Sequence, residues 1–162
     1  TSMSVVRGEE GLIVCSRNLA LKESDNIYWR MVRKYKLDEL LKNVGEFIQG
    51  EIIGPGVQGN PLARTENEFY AFDWNIEGGL IRDISEGEAQ VHSVPHVALR
   101  DLPATVAEII AEVDGMKSKL NPNKLAEGVV LWNWDDSVAN IHALGGRPNF
   151  KVISNRYLAK QE

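Results

Sequence analysis

Cysteine is nearly absent from this chain. Cys15 stands alone, so no intramolecular disulfide can form and there is no basis for a cysteine-built metal site. That economy fits a reducing, intracellular and cytoplasmic setting. No apolar run approaches the roughly 20 residues of a membrane helix, so no helical span is expected and no membrane partner. The first ten residues lack the basic-then-apolar order of a secretory leader. Positive charge is also in deficit: 18 Lys and Arg face 23 Asp and Glu, for a formal net charge of −5. This argues against a broad basic surface that grips nucleic acid through its phosphates, though not against a local basic groove. Arg30, Arg33, Lys34 and Lys36 form one basic run, and Arg147, Lys151, Arg156 and Lys160 another. By default each is a solvated face. Neither G-x-x-x-x-G-K-[ST] nor G-x-G-x-x-G occurs at a strand–helix junction, which removes the common phosphate-loop folds. His92, His96 and His142 lack metal-ligand spacing and read as structural or surface histidines.

What remains is an ordinary globular composition, 43% apolar and 25% charged over 162 residues. It predicts a single domain over residues 1–162 with a sizeable core. Strands are expected at residues 2–6 and 11–16, joined by the turn Arg7-Gly8-Glu9-Glu10. A helix is expected over 26–43, where Ile27, Met31, Tyr35, Leu37, Leu40 and Leu41 recur at roughly helical spacing, with Gly45 as its stop. A strand over 47–53 ends at Gly54-Pro55-Gly56, a loop spans 57–67, and an aromatic-rich strand covers 68–76 before Gly78-Gly79. Residues 91–97 form a short extended piece. A second helix is expected over 102–113, capped by Asp101 with Pro103 in its first turn. Residues 115–125 form a polar connection, and strands follow at 128–134 and 150–153. Strands outnumber helices and the two are interspersed, so the fold class is α+β.

Five residues stand out chemically. Glu127 begins an otherwise apolar strand. It is either a rim carboxylate or a hard oxygen ligand for Mg²⁺ beside a phosphate chain. Lys151, between Phe150 and Val152, is either a solvent-facing strand lysine or a point charge for a phosphate that gains negative charge during transfer. Glu51 follows Gly50 in an apolar strand and could accept from ribose hydroxyls or simply face solvent. Phe72 is a core ring or a stacking surface for a purine. Arg17, in Cys15-Ser16-Arg17-Asn18, is a solvated strand-end residue or a phosphate fork.

The order and spacing of these phrases carry more than any one of them. Cys15-Ser16-Arg17-Asn18 is similar to motif Ia of the ATP-dependent polynucleotide ligases, and Gln49-Gly50-Glu51-Ile52-Ile53-Gly54 to motif III. Phe69-Tyr70-Ala71-Phe72-Asp73-Trp74 is similar to motif IIIa, Glu127-Gly128-Val129-Val130 to motif IV, and Phe150-Lys151-Val152-Ile153-Ser154 to motif V. The chain thus resembles the nucleotidyltransferase domain of the ATP-dependent RNA ligases, within the superfamily that includes DNA ligases and mRNA capping enzymes. The resemblance implies antiparallel sheets flanked by helices, with a nucleotide groove between the sheets. It implies ATP with Mg²⁺ or Mn²⁺ as cofactors, broken RNA ends as partners, and an additional domain in the parent protein. By position, Phe72 stacks on adenine, Glu51 binds the ribose, Arg17 contacts the phosphates, Glu127 serves the metal and the attacking lysine, and Lys151 contacts the AMP phosphate. A motif I lysine would attack the α-phosphate, pass AMP to an RNA 5′-phosphate, and a 3′-hydroxyl would then seal the strand.

Two departures qualify the match. Motif I, Lys-x-Asp/Glu-Gly, should precede motif Ia. Lys36-Leu37-Asp38-Glu39 lacks the glycine and lies after motif Ia, and Glu112-Val113-Asp114-Gly115 lacks the lysine. Because Thr-Ser commonly follows that glycine in relatives, Thr1-Ser2 implies a chain starting directly after motif I, without its nucleophile. Motif V often reads Lys-x-Lys, and Ile153 holds the second place, with Arg156 or Lys160 as substitutes. The alternatives are a non-catalytic module for nucleotide or RNA ends, and a piece of a DNA ligase or capping enzyme.

Overall fold

The computed structural model describes residues 1–76, 91–97, 101, 103, 105–132 and 149–159. The expected breaker Gly78-Gly79, the end of the predicted 128–134 strand, His142, Arg147 and Lys160 lie outside the described residues. The chain divides into two compact units, Thr1–His96 and Val97–Glu162.

The first unit is built on β1 (Ser2–Gly8), β2 (Gly11–Cys15), β3 (Phe47–Ile53), β4 (Glu68–Asn75) and β5 (His92–Ser93), ordered β2-β1-β3-β4-β5. All neighbours are antiparallel except β4 and β5, which run parallel. In β3 burial alternates strictly: Ile48, Gly50 and Ile52 face inward, while Gln49 and Glu51 do not. Met3 and Val5 of β1, Val14 of β2, and Phe69, Ala71 and Trp74 of β4 join Ile48 and Ile52 in one core. Burying each such large side chain contributes about 1.5–3 kcal/mol.

The other wall of this core is helical, and here the periodicity misleads. The single helix expected over 26–43 is two, α1 (Ile27–Lys34) and α2 (Leu37–Leu40). Lys36 breaks them with a left-handed φ of 49°. The reason is geometric. Tyr35 and Leu37 are both buried, yet residues two apart point in nearly opposite directions on a continuous helix. A left-handed residue between them turns both inward, and Leu41 follows. Asn26 caps α1, its side chain accepting from the Trp29 N–H at 3.0 Å.

The second unit contains α3 (Val106–Val113), the antiparallel pair β6 (Gly128–Trp132) and β7 (Asn149–Ile153), and the single turn α4 (Asn155–Leu158). The cap of α3 is Thr105 rather than Asp101. Thr105 and Glu108 form a reciprocal capping box, the Thr-x-x-Glu signature that Thr105-Val106-Ala107-Glu108 spells out. A capping box satisfies two orphan N–H groups together, so it outcompetes an aspartate four residues earlier.

Candidate active site

Two of the five candidate residues meet directly. In β6 and β7 the register pairs Gly128 with Ile153 and Val130 with Lys151. The Lys151 ammonium donates to Glu127 Oε1 at 2.5 Å, a charge-assisted bond between two side chains that are each about half exposed, 51% for Glu127 and 56% for Lys151. Gly128 makes the strands' close approach possible, because a Cβ there would overlap the Val152 carbonyl oxygen. An exposed carboxylate–ammonium pair of this kind contributes little stability. It does present one anionic and one cationic group side by side to solvent.

Glu51 and Phe72 occupy adjoining strands of the first unit. The β3–β4 register pairs Gln49 with Asp73 and Gly50 with Ala71, so Phe72 is the extra residue of a β-bulge. The bulge places two half-exposed residues, Phe72 and Asp73, in succession between buried Ala71 and Trp74. Phe72 follows core residue Ala71 and so takes the opposite face, and the extra residue shifts the alternation so that Trp74 returns to the core. Gly50 is required opposite the bulge: a Cβ would overlap the Tyr70 carbonyl and crowd the Phe69 ring. Glu51, next in β3, is half-exposed and pairs in register with Ser2. Its carboxylate lies 3.0 Å from the Thr1 nitrogen, which donates to the Ile52 carbonyl at 2.8 Å.

Arg17 is exposed just beyond β2 and has no side-chain partner among the described residues. Cys15 pairs with Ser4, and Ser4 with Gln49, so β2 leaves the sheet at the end where Ser2 meets Glu51. Cys15 itself is partly buried. An open cleft of about 390 Å³ is lined by Thr1, Tyr28, Arg30, Gly56 and Gln58, with Gln58 in a left-handed conformation at φ 46°. None of the five candidates lines it. The sequence signals there were the Gly54-Pro55-Gly56 breaker and Arg30 of the first basic run. Among the described residues, no three His, Cys, Asp or Glu side chains gather to hold a metal ion.

The RNA ligase family model matches residues 1–153. The chain belongs to the RNA ligase family. Solved structures agree. Naegleria gruberi RNA ligase with pyrophosphate is 33% identical, with a TM-score of 0.77 over 98% of this chain and 48% of that one. A variant of the same ligase with ATP and manganese is 32% identical, with a TM-score of 0.81 over 99% of this chain and 48% of that one. Another variant, with AMP and manganese, is 32% identical, with a TM-score of 0.80 over 98% and 48%. This RNA ligase family chain thus spans about half the length of those ligases. No curated protein matches it significantly. The α+β fold expected from the motifs, with antiparallel sheets and few helices, is the fold found.

Proposed function

We propose that this chain is the AMP-handling part of an ATP-dependent RNA ligase, one that joins 5′-phosphate and 3′-hydroxyl RNA ends through lysyl-AMP and adenylylated RNA. Family membership gives the reaction class, and one observation carries the assignment within it: Glu127 and Lys151, from separate motifs, meet across β6 and β7. In this reading Lys151 neutralises the α-phosphate of AMP as charge moves onto it. Glu127 releases Lys151 when nucleotide arrives and then faces the attacking lysine and a divalent ion. A single carboxylate suits Mg²⁺ or Mn²⁺, which binds through one or two protein oxygens, water and substrate phosphates. When bound, the ion would supply charge neutralisation on the polyphosphate. Glu51 accepts from the ribose, the half-exposed Phe72 ring stacks on adenine, and Arg17 contacts the phosphates.

The attacking lysine of this reading is not among the 162 residues, which contain no Lys-x-Asp/Glu-Gly. In the sheet, Ser2 of β1 pairs with Glu51, so β1 starts at the edge that this reading gives to the ribose. The missing Lys-x-Asp-Gly also favours a second reading, a non-catalytic module that holds nucleotide or RNA ends. An upstream Lys-x-Asp-Gly in the open reading frame distinguishes the two. Nucleotide binding tests the shared part of both. Calorimetry with AMP should show Phe72→Ala weakening affinity by about 1–3 kcal/mol, the worth of one base–aromatic stack. Unchanged affinity would remove Phe72 from the site.

A further inference from the structure

Ser154 closes motif V yet had no role in the reading above. It is 1% exposed, and its hydroxyl is used three times. It donates to Oδ1 of Asp114 at 3.0 Å and accepts from the N–H groups of Gly115 at 3.3 Å and Tyr157 at 3.2 Å. The Ser154 N–H donates to the Glu127 carbonyl at 2.9 Å. Asp114 Oδ1 accepts a second bond, from the Arg156 N–H at 2.9 Å. Two residues after Asp114, the Met116 carbonyl accepts from the N–H of Ala126 at 2.9 Å, directly before Glu127. The turn that follows α3 therefore holds both the lead into β6 and the exit of β7.

An ordinary helix cap explains only part of this. Capping the single turn α4 needs the Tyr157 bond alone. The bonds to Asp114 and Gly115 come from a different element, about 40 residues away in the chain. They join motif V to the end of α3, while the Ser154 backbone joins it to motif IV. Such a junction removes freedom at the two points from which Glu127 and Lys151 project, and small displacements of positioning groups are expensive in catalysis. The Arg156 N–H, the Ser154 hydroxyl and the Arg156 guanidinium hold the Asp114 carboxyl below its usual range, so it stays an acceptor at neutral pH.

We propose that Asp114 and Ser154 are positioning residues, which lock motif IV to motif V and so set the placement of Glu127 and Lys151 for AMP transfer. The proposal rests on the AMP-transfer reading. In the full-length protein, Asp114→Ala and Ser154→Ala should each lower the rate of AMP transfer about tenfold or more, with the KM for ATP shifted less than about threefold. Asp114→Asn keeps the acceptor oxygen and should hold the rate within about threefold of wild type. In the 162-residue chain, amide hydrogen exchange at Ser154 and Ala126 should quicken in both alanine variants. Folded alanine variants that transfer AMP at the wild-type rate, or whose exchange is unchanged, would overturn the positioning role alone. A wild-type protein that transfers no AMP would overturn the functional reading and this role with it.

Discussion

At residue scale, Gly50 carries the densest constraint in the first unit. The bulge at Phe72 brings the β4 backbone against Gly50, and a methyl group there would have to displace the Tyr70 carbonyl and the Phe69 ring. Phe69 is fully buried and the carbonyl belongs to the sheet, so neither can yield cheaply. Gly50→Ala should therefore destabilise the chain by about 3 kcal/mol, measured by urea denaturation, as for other overpacked core positions. A loss near zero would mean that β3 and β4 are further apart than described. Glu51 and Phe72 were legible as candidates because the motif phrases name them. The bulge was not, since Glu68-Phe69-Tyr70-Ala71-Phe72-Asp73-Trp74 is apolar on both faces at its start and gives no alternation to break. Ser154 was quoted within motif V, but its partner Asp114 is too distant in sequence for any local pattern to pair them.

At the scale of elements, β4 is anchored at its start by a buried carboxylate. Glu68 is 9% exposed and takes two bonds from the Arg64 guanidinium, the longer of them 2.8 Å, while the Tyr70 hydroxyl stands 3.4 Å away. Lys34 of α1 ties the same region down, donating to Glu66 at 2.6 Å and to the Asn67 carbonyl at 2.8 Å. The Arg64 bond, above all, holds the Glu68 carboxyl below its ordinary range despite burial. A carboxylate depressed on folding stabilises the native state above its unfolded pKa, and that contribution fades as pH falls through the lower folded value. Glu68→Gln should cost roughly 2 kcal/mol at neutral pH and flatten the acid limb of stability as pH falls below the ordinary glutamate range. Parallel acid limbs in wild type and variant would contradict this. The helix pair shows where sequence periodicity stops informing. The apolar positions between Ile27 and Leu41 fit one helix on average, but the two-residue step from Tyr35 to Leu37 fits none, and Lys36 gives no warning of a left-handed break. Thr105-Val106-Ala107-Glu108, by contrast, spells a capping box that is legible in the sequence.

Across the whole molecule, the fold class was readable because strand and helix signals agree with the motif order, and family membership over residues 1–153 bears that out. The division into Thr1–His96 and Val97–Glu162 was not readable, because no linker composition marks residues 96–97. The charge deficit follows the same logic as the site: the proposed work is done by a few placed cations, Arg17 and Lys151, rather than by a basic surface. The central claim is that these motifs handle AMP and that no residue among the 162 serves as the attacking lysine. The direct measurement is acid-stable protein labelling with α-labelled ATP and a divalent metal. This chain alone should stay unlabelled, and a chain extended at its N-terminus by a Lys-Leu-Asp-Gly lead-in with its strand should take up label. Glu127→Ala in the extended chain should abolish that labelling. Label on this chain alone, no label on the extended chain, or undiminished label in the Glu127 variant would contradict the account.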